Sequence, residues 1–276
     1  MKKEPMIIAL ACDIKYSAQA ITLIKSICYH KHRNVKFYLL HKDFPNEWFN
    51  VMNHYLNQLD CEIISATILH DHLQNYPTAE HITEVTYYRY YLQEIPEDRV
   101  LYLDSDIVVN GNLYDFYYQN FYDKSAVAVT DMYVNNSEHF HNIRPYFNAG
   151  VLLVNNKKWK KQNIQGSLLA YSEKFIKKVI YADQDILNIV LNNDIIVADK
   201  IYNFQAGARF GFYPQGKFEL SKETEKLDQD PLIIHYTSPY KPWLISPDAL
   251  FRDKYWFYFS LEWQDIIQRN LEKEGN

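Results

Sequence analysis

The chain has 276 residues, 47% of them hydrophobic, and a net charge of −5. That length holds one or two domains with a full core that needs no disulfide or metal staple, and a single large α/β domain is well within range. The acidic balance excludes a general polyanion or nucleic-acid binder, which requires a basic face.

Three cysteines, Cys12, Cys28 and Cys61, are an odd number without a Cys-x-x-Cys pair, which argues against a structural zinc site and fits a reducing cytoplasm. Two lysines precede a seven-residue apolar run, 6–12. The run is at the short limit for a secretory signal and is followed at once by Asp13, so it reads as a first buried strand. No apolar run approaches the length of a membrane-spanning helix. Aromatic residues are abundant, with 24 Tyr, 15 Phe and 5 Trp. Packing is their ordinary use and platforms for sugars or bases the functional one, and composition alone does not choose between the two.

In chain order, after the 6–12 strand, 16–29 reads as a helix with Ala20, Ile24, Ile27 and Cys28 near helical spacing. Strand 35–41 follows. Then comes helix 45–59, with Pro45 suited to its first turn. Strand 61–66, helix 86–94 and strand 99–103 complete an alternation that predicts a mostly parallel sheet with helices on both faces. Further strands are expected at 126–130, 149–154 and 232–235, and helices at 164–177 and 185–191. The stretch 205–217 carries Gly207, Gly211 and Gly216 and reads as a loop. The charged stretch 220–230 reads as solvated. The pattern divides into a main domain, 1–246, and an aromatic extension, 247–276, expected to be helical from 251 and packed on the domain. A membrane surface or an acceptor is the other use of its Tyr255–Trp263 stretch, but it lacks the dense basic cluster of a membrane-docking helix.

The sharpest local signal is Arg99-Val-Leu-Tyr-Leu-Asp104-Ser105-Asp106. In a parallel α/β sheet the carboxyl ends of strands open onto the ligand crevice. Two carboxylates there repel each other unless a cation neutralises them, and oxygen ligands favour Mg2+, Ca2+ or Mn2+. A bare Asp-x-Asp also arises as a helix cap or a piece of a calcium loop. His235 follows a second apolar run. An isolated histidine is more often structural, yet two carboxylates and one imidazole leave coordination positions that diphosphate oxygens can fill. No GxGxxG and no GxxxxGK[ST] is present, so a bound nucleotide diphosphate would rely on metal rather than a glycine cradle. Asp13 is then free for a base or ribose and Tyr16 for stacking. As a local feature, Asp13 is equally a helix cap. Asn148 offers donor and acceptor, and Ala149 and Gly150 permit close approach of a ligand to the backbone. Asp183, Gln184 and Asp185 open a helix, where an aspartate also serves the helix dipole. Lys241 lies in a proline-punctuated loop just after His235 and suits a phosphate contact.

Taken in order, ALACDIKY, TYYRYYL, RVLYLDSDIVV, YFNAGVLLVN, KKW, ADQDILN and HYTSPYKPW resemble glycosyltransferase family 8. The match is to bacterial lipopolysaccharide galactosyl- and glucosyltransferases, with glycogenin more distant. The resemblance implies a GT-A fold and retaining, Mn2+-dependent transfer of glucose or galactose from a UDP-sugar to a glycan, glycolipid or glycoprotein, with Mg2+ as an alternative cation. It implies Asp104, Asp106 and His235 as metal ligands. Ala11, Cys12, Asp13, Tyr16, Asp104, Ser105, Ser238 and Lys241 would contact the nucleotide. Arg89, Asp131, Asn148, Ala149, Asp183 and Gln184 would form the donor-sugar pocket, with Gln184, Asp183 and Asp131 at the reaction centre. His81 matches a family histidine nearby. Ile14 and Lys15 depart from the family's polar residue and Asn, and Ser238 stands where glycine is frequent. The neutral, weakly nucleophilic amide of Gln184 favours front-face attack over a covalent intermediate. The rival readings are an inactive sugar-binding module, a metal-dependent phosphohydrolase and a glycogenin-like self-glucosylating protein. The expected setting is cytoplasmic, with the inner face of the cell membrane as an option.

Overall fold

The computed structural model describes residues 4–69, 76, 83–134, 142–175, 178–206, 210–212, 218–220, 230–237, 241–245 and 249–271. His81, Ser238, most of the charged 220–230 stretch and the last five residues lie outside them.

The chain opens with β1 (Met6–Ala11), α1 (Ser17–Tyr29), β2 (Val35–His41), α2 (Asn46–Leu56) and β3 (Cys61–Thr67). After a 3-10 helix, Glu84–Glu94, come β4 (Arg99–Leu103), β5 (Ile107–Val109), α3 (Tyr114–Tyr117), β6 (Ala126–Thr130) and β7 (Phe147–Asn155). Helices α4 (Asn156–Gln162), α5 (Ile164–Phe175) and α6 (Ala182–Val190) precede β8 (Ile195–Val197) and β9 (Phe204–Gln205). β10 (Phe210–Phe212), β11 (Phe218–Leu220), β12 (Ile233–His235), α7 (Arg252–Ser260) and α8 (Trp263–Leu271) follow, and short 3-10 helices lie at Ile14–Tyr16, Asn57–Leu59 and Lys200–Tyr202.

Seven strands form the central sheet in the order β3-β2-β1-β4-β7-β6-β8. The ladders β3/β2, β2/β1, β1/β4 and β6/β8 are parallel, and β7 runs antiparallel to both of its neighbours. One reversed strand in a parallel sheet has a consequence for the site: its amino-terminal end lies at the edge where its neighbours' carboxyl ends emerge. All six β1 residues are buried, as expected of a strand covered on both faces. The two-residue period divides its side chains. Ile8 and Leu10 pack with Leu23, Ile24 and Ile27 of α1, whereas Ile7, Ala9 and Ala11 face Tyr87, Tyr90 and Tyr91 on the other side. Many of the aromatic residues are therefore core.

The C-terminal helices lie against α1. Trp263, Ile266 and Ile267 share the core cluster of Leu23 and Ile24, and Trp263 stacks on Tyr55 at 5.5 Å. Asn270 Nδ2 donates to the Cys28 carbonyl at 3.2 Å. No helix among the described residues is long and apolar enough to cross a membrane.

The helix expected at 86–94 is present, as a 3-10 helix. Tyr87 and Tyr90, and Tyr88 and Tyr91, fall on common faces at the three-residue period that this tighter helix has. The supposed loop 205–217 contains β10, which pairs antiparallel with β11 through Phe210↔Leu220 and Phe212↔Phe218. Three glycines suggested a loop, but one of them, Gly211, sits within a ladder opposite Glu219.

Candidate active site

Asp104 and Asp106 leave β4 at its carboxyl end, and the Asp104 N–H extends the β4/β7 ladder by donating to the Gly150 carbonyl at 2.8 Å. β5 begins immediately after Asp106 and pairs antiparallel with β12, setting His235 opposite Ile107. This second, three-stranded sheet, β5-β12-β9, carries a distant histidine to the aspartates. His235 Nε2 lies 3.2 Å from Asp106 Oδ1 and 3.7 Å from Asp104 Oδ2. One ligand atom from each of the three residues lies within 4.8 Å of the others. Neighbouring ligands on an octahedral cation with ~2.1 Å bonds stand ~3 Å apart, so the set fits such an ion with small adjustments. Gly150 makes the cradle: a Cβ there would stand 2.1 Å from His235 Cε1 and 2.7 Å from Asp104 Oδ2.

The charges around the set are arranged in layers. Lys241 Nζ is 2.5 Å from Asp106 Oδ2. Burial alone would raise the Asp106 carboxyl, but Lys241, joined by His235 when its ring is protonated, outweighs it and holds the group below the usual carboxylate range. Arg89 is buried, with Nη2 at 3.1 Å from Asp104 Oδ1 and Nη1 donating to the Ala149 carbonyl at 2.6 Å. Burial works against the guanidinium charge, and Asp104 with Asp183 more than restores it. Arg89 Nε sits 3.0 Å from Asp183 Oδ2, yet its hydrogen is directed to the Thr86 carbonyl. Asp183 Oδ2 thus has a charge partner but no hydrogen-bond donor. Burial pushes the Asp183 carboxyl up to about 6, against the lowering effect of Arg89.

The facing wall is made of amides. Gln184 Oε1 accepts from the Ala149 N–H at 3.0 Å and from Asn148 Nδ2 at 3.3 Å. Gln184 Nε2 donates to Asp131 Oδ2 at 3.1 Å and Tyr146 Oη at 3.4 Å. Asp131 Oδ1 accepts from the backbone N–H groups of Tyr133 and Val134. α6 is docked by Asn188, whose amide both accepts from the Phe147 N–H and donates to the Phe147 carbonyl at 2.8 Å. Asp185 serves structure, accepting from Tyr146 Oη and from the Ile180 and Tyr181 N–H groups.

On the other flank, Asp13 caps the short helix Ile14–Tyr16 through Oδ1 on the Tyr16 N–H. The Tyr16 ring stands edge-on to Trp243 at 5.9 Å. Ser105 Oγ donates to the Ala11 carbonyl at 2.8 Å. Cys12 is buried and its thiol is pushed up to about 12, which makes it an inert wall. The structure thus gathers Asp104, Asp106, His235, Lys241, Arg89, Asp131, Asn148, Ala149, Asp183 and Gln184 at one sheet edge, with Asp13 and Tyr16 at its side. Sequence reasoning missed Thr86, Tyr102, Tyr146 and Asn203, whose hydrogen bonds hold these groups; Tyr102 Oη donates to Asp104 Oδ1 at 2.8 Å.

The model of glycosyl transferase family 8 matches residues 7–246. The chain belongs to that family. It is 36% identical over 274 residues to glycosyltransferase GlyA of Streptococcus pneumoniae TIGR4, covering 98% of this chain and 37% of GlyA. Among solved structures it is similar to apo GlyE of S. pneumoniae TIGR4, with TM-score 0.82, 31% identity, and 98% of this chain and 64% of that one covered. It is also similar to galactosyltransferase LgtC in complex with donor and acceptor sugar analogs, with TM-score 0.78, 25% identity, and 95% and 100% covered. The family 8 resemblance and the GT-A fold are thereby borne out. The chain spans about a third to two-thirds of the length of the pneumococcal relatives.

Proposed function

We propose that this family 8 chain is a retaining, Mn2+-dependent hexosyltransferase, moving glucose or galactose from a UDP-sugar to a hydroxyl of a glycan, glycolipid or glycoprotein in the cytoplasm. The observation that carries the reading is the meeting of Asp104, Asp106 and His235 within reach of one cation, beside a buried wall of polar groups. Residues 1–246 would be the transferase domain and 247–276 a helical extension against it.

A bound cation would stabilise the charge that develops on the diphosphate as the C1–O bond breaks. Lys241 stands at the edge of the cation site, where its ammonium can turn to the same phosphates. Asp13 and Tyr16 would face the uridine. Asp183 Oδ2, lacking a donor, is suited to accept a sugar hydroxyl. Gln184 Oε1 and both Asp131 oxygens are already engaged by N–H donors, which makes each a poor nucleophile. Front-face attack is favoured, with the leaving phosphate oxygen taking the acceptor's proton, and a glycosyl adduct trapped on Asp183, whose Oδ2 lacks a donor, would overturn it.

The test is UDP release from UDP-glucose and UDP-galactose with saccharide acceptors, with and without Mn2+. One donor should turn over, and chelation should lower the rate at least about 100-fold, the equivalent of a few kcal/mol of lost charge stabilisation. Mn2+ binding without release of UDP from either donor would leave only a sugar-binding module.

A further inference from the structure

Asn203 is completely buried and precedes β9, the strand that pairs with β12. Its side-chain amide lies between two site residues. Oδ1 is 3.0 Å from His235 Nδ1, and Nδ2 is 3.0 Å from Asn148 Oδ1.

The orientation of each amide follows from backbone groups that can only donate. The Gly150 N–H meets Asn148 at 3.1 Å, so the atom it meets is the oxygen. Asn148 Nδ2 then faces Asp131 Oδ2 at 3.1 Å and Gln184 Oε1 at 3.3 Å, both acceptors. The Ala149 N–H independently fixes Gln184 Oε1. Asn148 Oδ1 also faces Asn203, which must answer with its NH2 group, and this turns the Asn203 oxygen to His235. An oxygen accepts, so His235 Nδ1 carries hydrogen. In the neutral ring Nε2 is then a bare lone pair, and it is the atom nearest Asp104 and Asp106. The aspartates favour the opposite arrangement, because an Nε2–H would hydrogen-bond to them and occupy the place of a cation. Asn203 opposes that preference.

We propose that Asn203 is a positioning residue that fixes His235 as the Nδ1–H tautomer, aims the Nε2 lone pair into the cation site and ties that site to the hexose-side amides through Asn148. The proposal rests on the metal-dependent reading above. Two substitutions separate its halves. Asn203→Asp keeps an oxygen for the Nδ1–H and loses the donor to Asn148. Asn203→Leu loses both.

The experiment has two readouts. Imidazole 15N NMR is recorded with Mg2+ and UDP at about pH 8.5, two units above the ordinary histidine pKa, with His235→Gln giving the assignment. Mn2+ affinity with UDP present is measured by electron paramagnetic resonance of the free ion. Wild type and Asn203→Asp should show Nδ1–H. Asn203→Leu should show Nε2–H and bind Mn2+ about 10–100-fold more weakly. Asn203→Asp should keep its Mn2+ affinity within about threefold while kcat falls about tenfold, one hydrogen bond's worth. An Nε2–H signature in the wild type overturns the proposal whether or not any variant folds. So does Asn203→Leu with wild-type tautomer and affinity, and an unchanged kcat in Asn203→Asp removes the Asn148 link. Wild type that binds no Mn2+ in the presence of UDP removes the metal reading itself and this one with it.

Discussion

The two flanks of the cleft are built differently. On the proposed hexose side, Arg89, Asp131, Asn148 and Asp183 are buried, and nearly every polar atom has a partner. On the proposed base side, Ile14, Lys15 and Tyr16 are exposed, and the Tyr16 ring touches Trp243 by its edge. The contrast matches the two recognition problems that the proposed function poses. Telling glucose from galactose means reading the direction of one hydroxyl, which needs donors and acceptors fixed in advance. Holding a base needs an aromatic face, and stacking tolerates some freedom. The first flank is expected to resist deformation and the second to adapt.

The largest effect is expected where the rigid flank meets the cation site. Gly150→Ala places a Cβ where His235 Cε1 and Asp104 Oδ2 already are. The neighbours are ring and carboxylate held by other bonds, so the imidazole must move. A shift of about 1 Å at a reacting centre costs on the order of 100-fold in rate, and overpacking adds about 1–3 kcal/mol of destabilisation. UDP-release kinetics with Mn2+ titration, alongside thermal unfolding, checks both. Wild-type turnover in this variant would mean that the flank is more pliable than its hydrogen bonds imply.

The adaptable flank should respond in another currency. Tyr16 is 37% exposed, so Tyr16→Ala removes a platform with little core attached. The expectation is a rise of about tenfold in KM for the UDP-sugar, within the 1–3 kcal/mol that one base-stacking contact contributes, with kcat within about twofold and Tm nearly unchanged. Steady-state kinetics decide. A fall in kcat comparable to that of Gly150→Ala would erase the distinction between the flanks.

Legibility in the sequence followed the same line. The strands 35–41, 99–103 and 126–130 were readable to the residue because mostly apolar runs gave way to charged residues. Asp104 and Asp106 were readable because charge at the end of such a run demands a reason. His235 lay after another apolar run, although only the β5/β12 ladder shows how it reaches the aspartates. The antiparallel sense of β7 was not readable, since nothing in Phe147–Asn155 distinguishes its direction. Nor was Asn203, a single amide between a tyrosine and a phenylalanine, whose part depends on atoms from β7 and β12. Side chains that hold other side chains carry no periodicity and no motif of their own.

The smallest effect tests how the rigid flank is aimed. Ala182, the first residue of α6, has φ of 49°, in the left-handed region where an alanine carries about 1–2 kcal/mol of strain. That turn directs Asp183 to Arg89 and Gln184 to Asn148. Ala182→Gly relieves the strain and at the same time gives the unfolded chain more freedom, worth about 0.4–1 kcal/mol against folding. The two nearly cancel, so unfolding free energy should change by less than about 1 kcal/mol, with kcat unaltered because tertiary bonds, not the backbone preference, hold the two side chains. Denaturant unfolding and kinetics on the same preparation measure both. A selective loss of kcat would show that the strained alanine itself aims the wall, and the rigidity of the hexose side would then begin in the backbone rather than in the amide network.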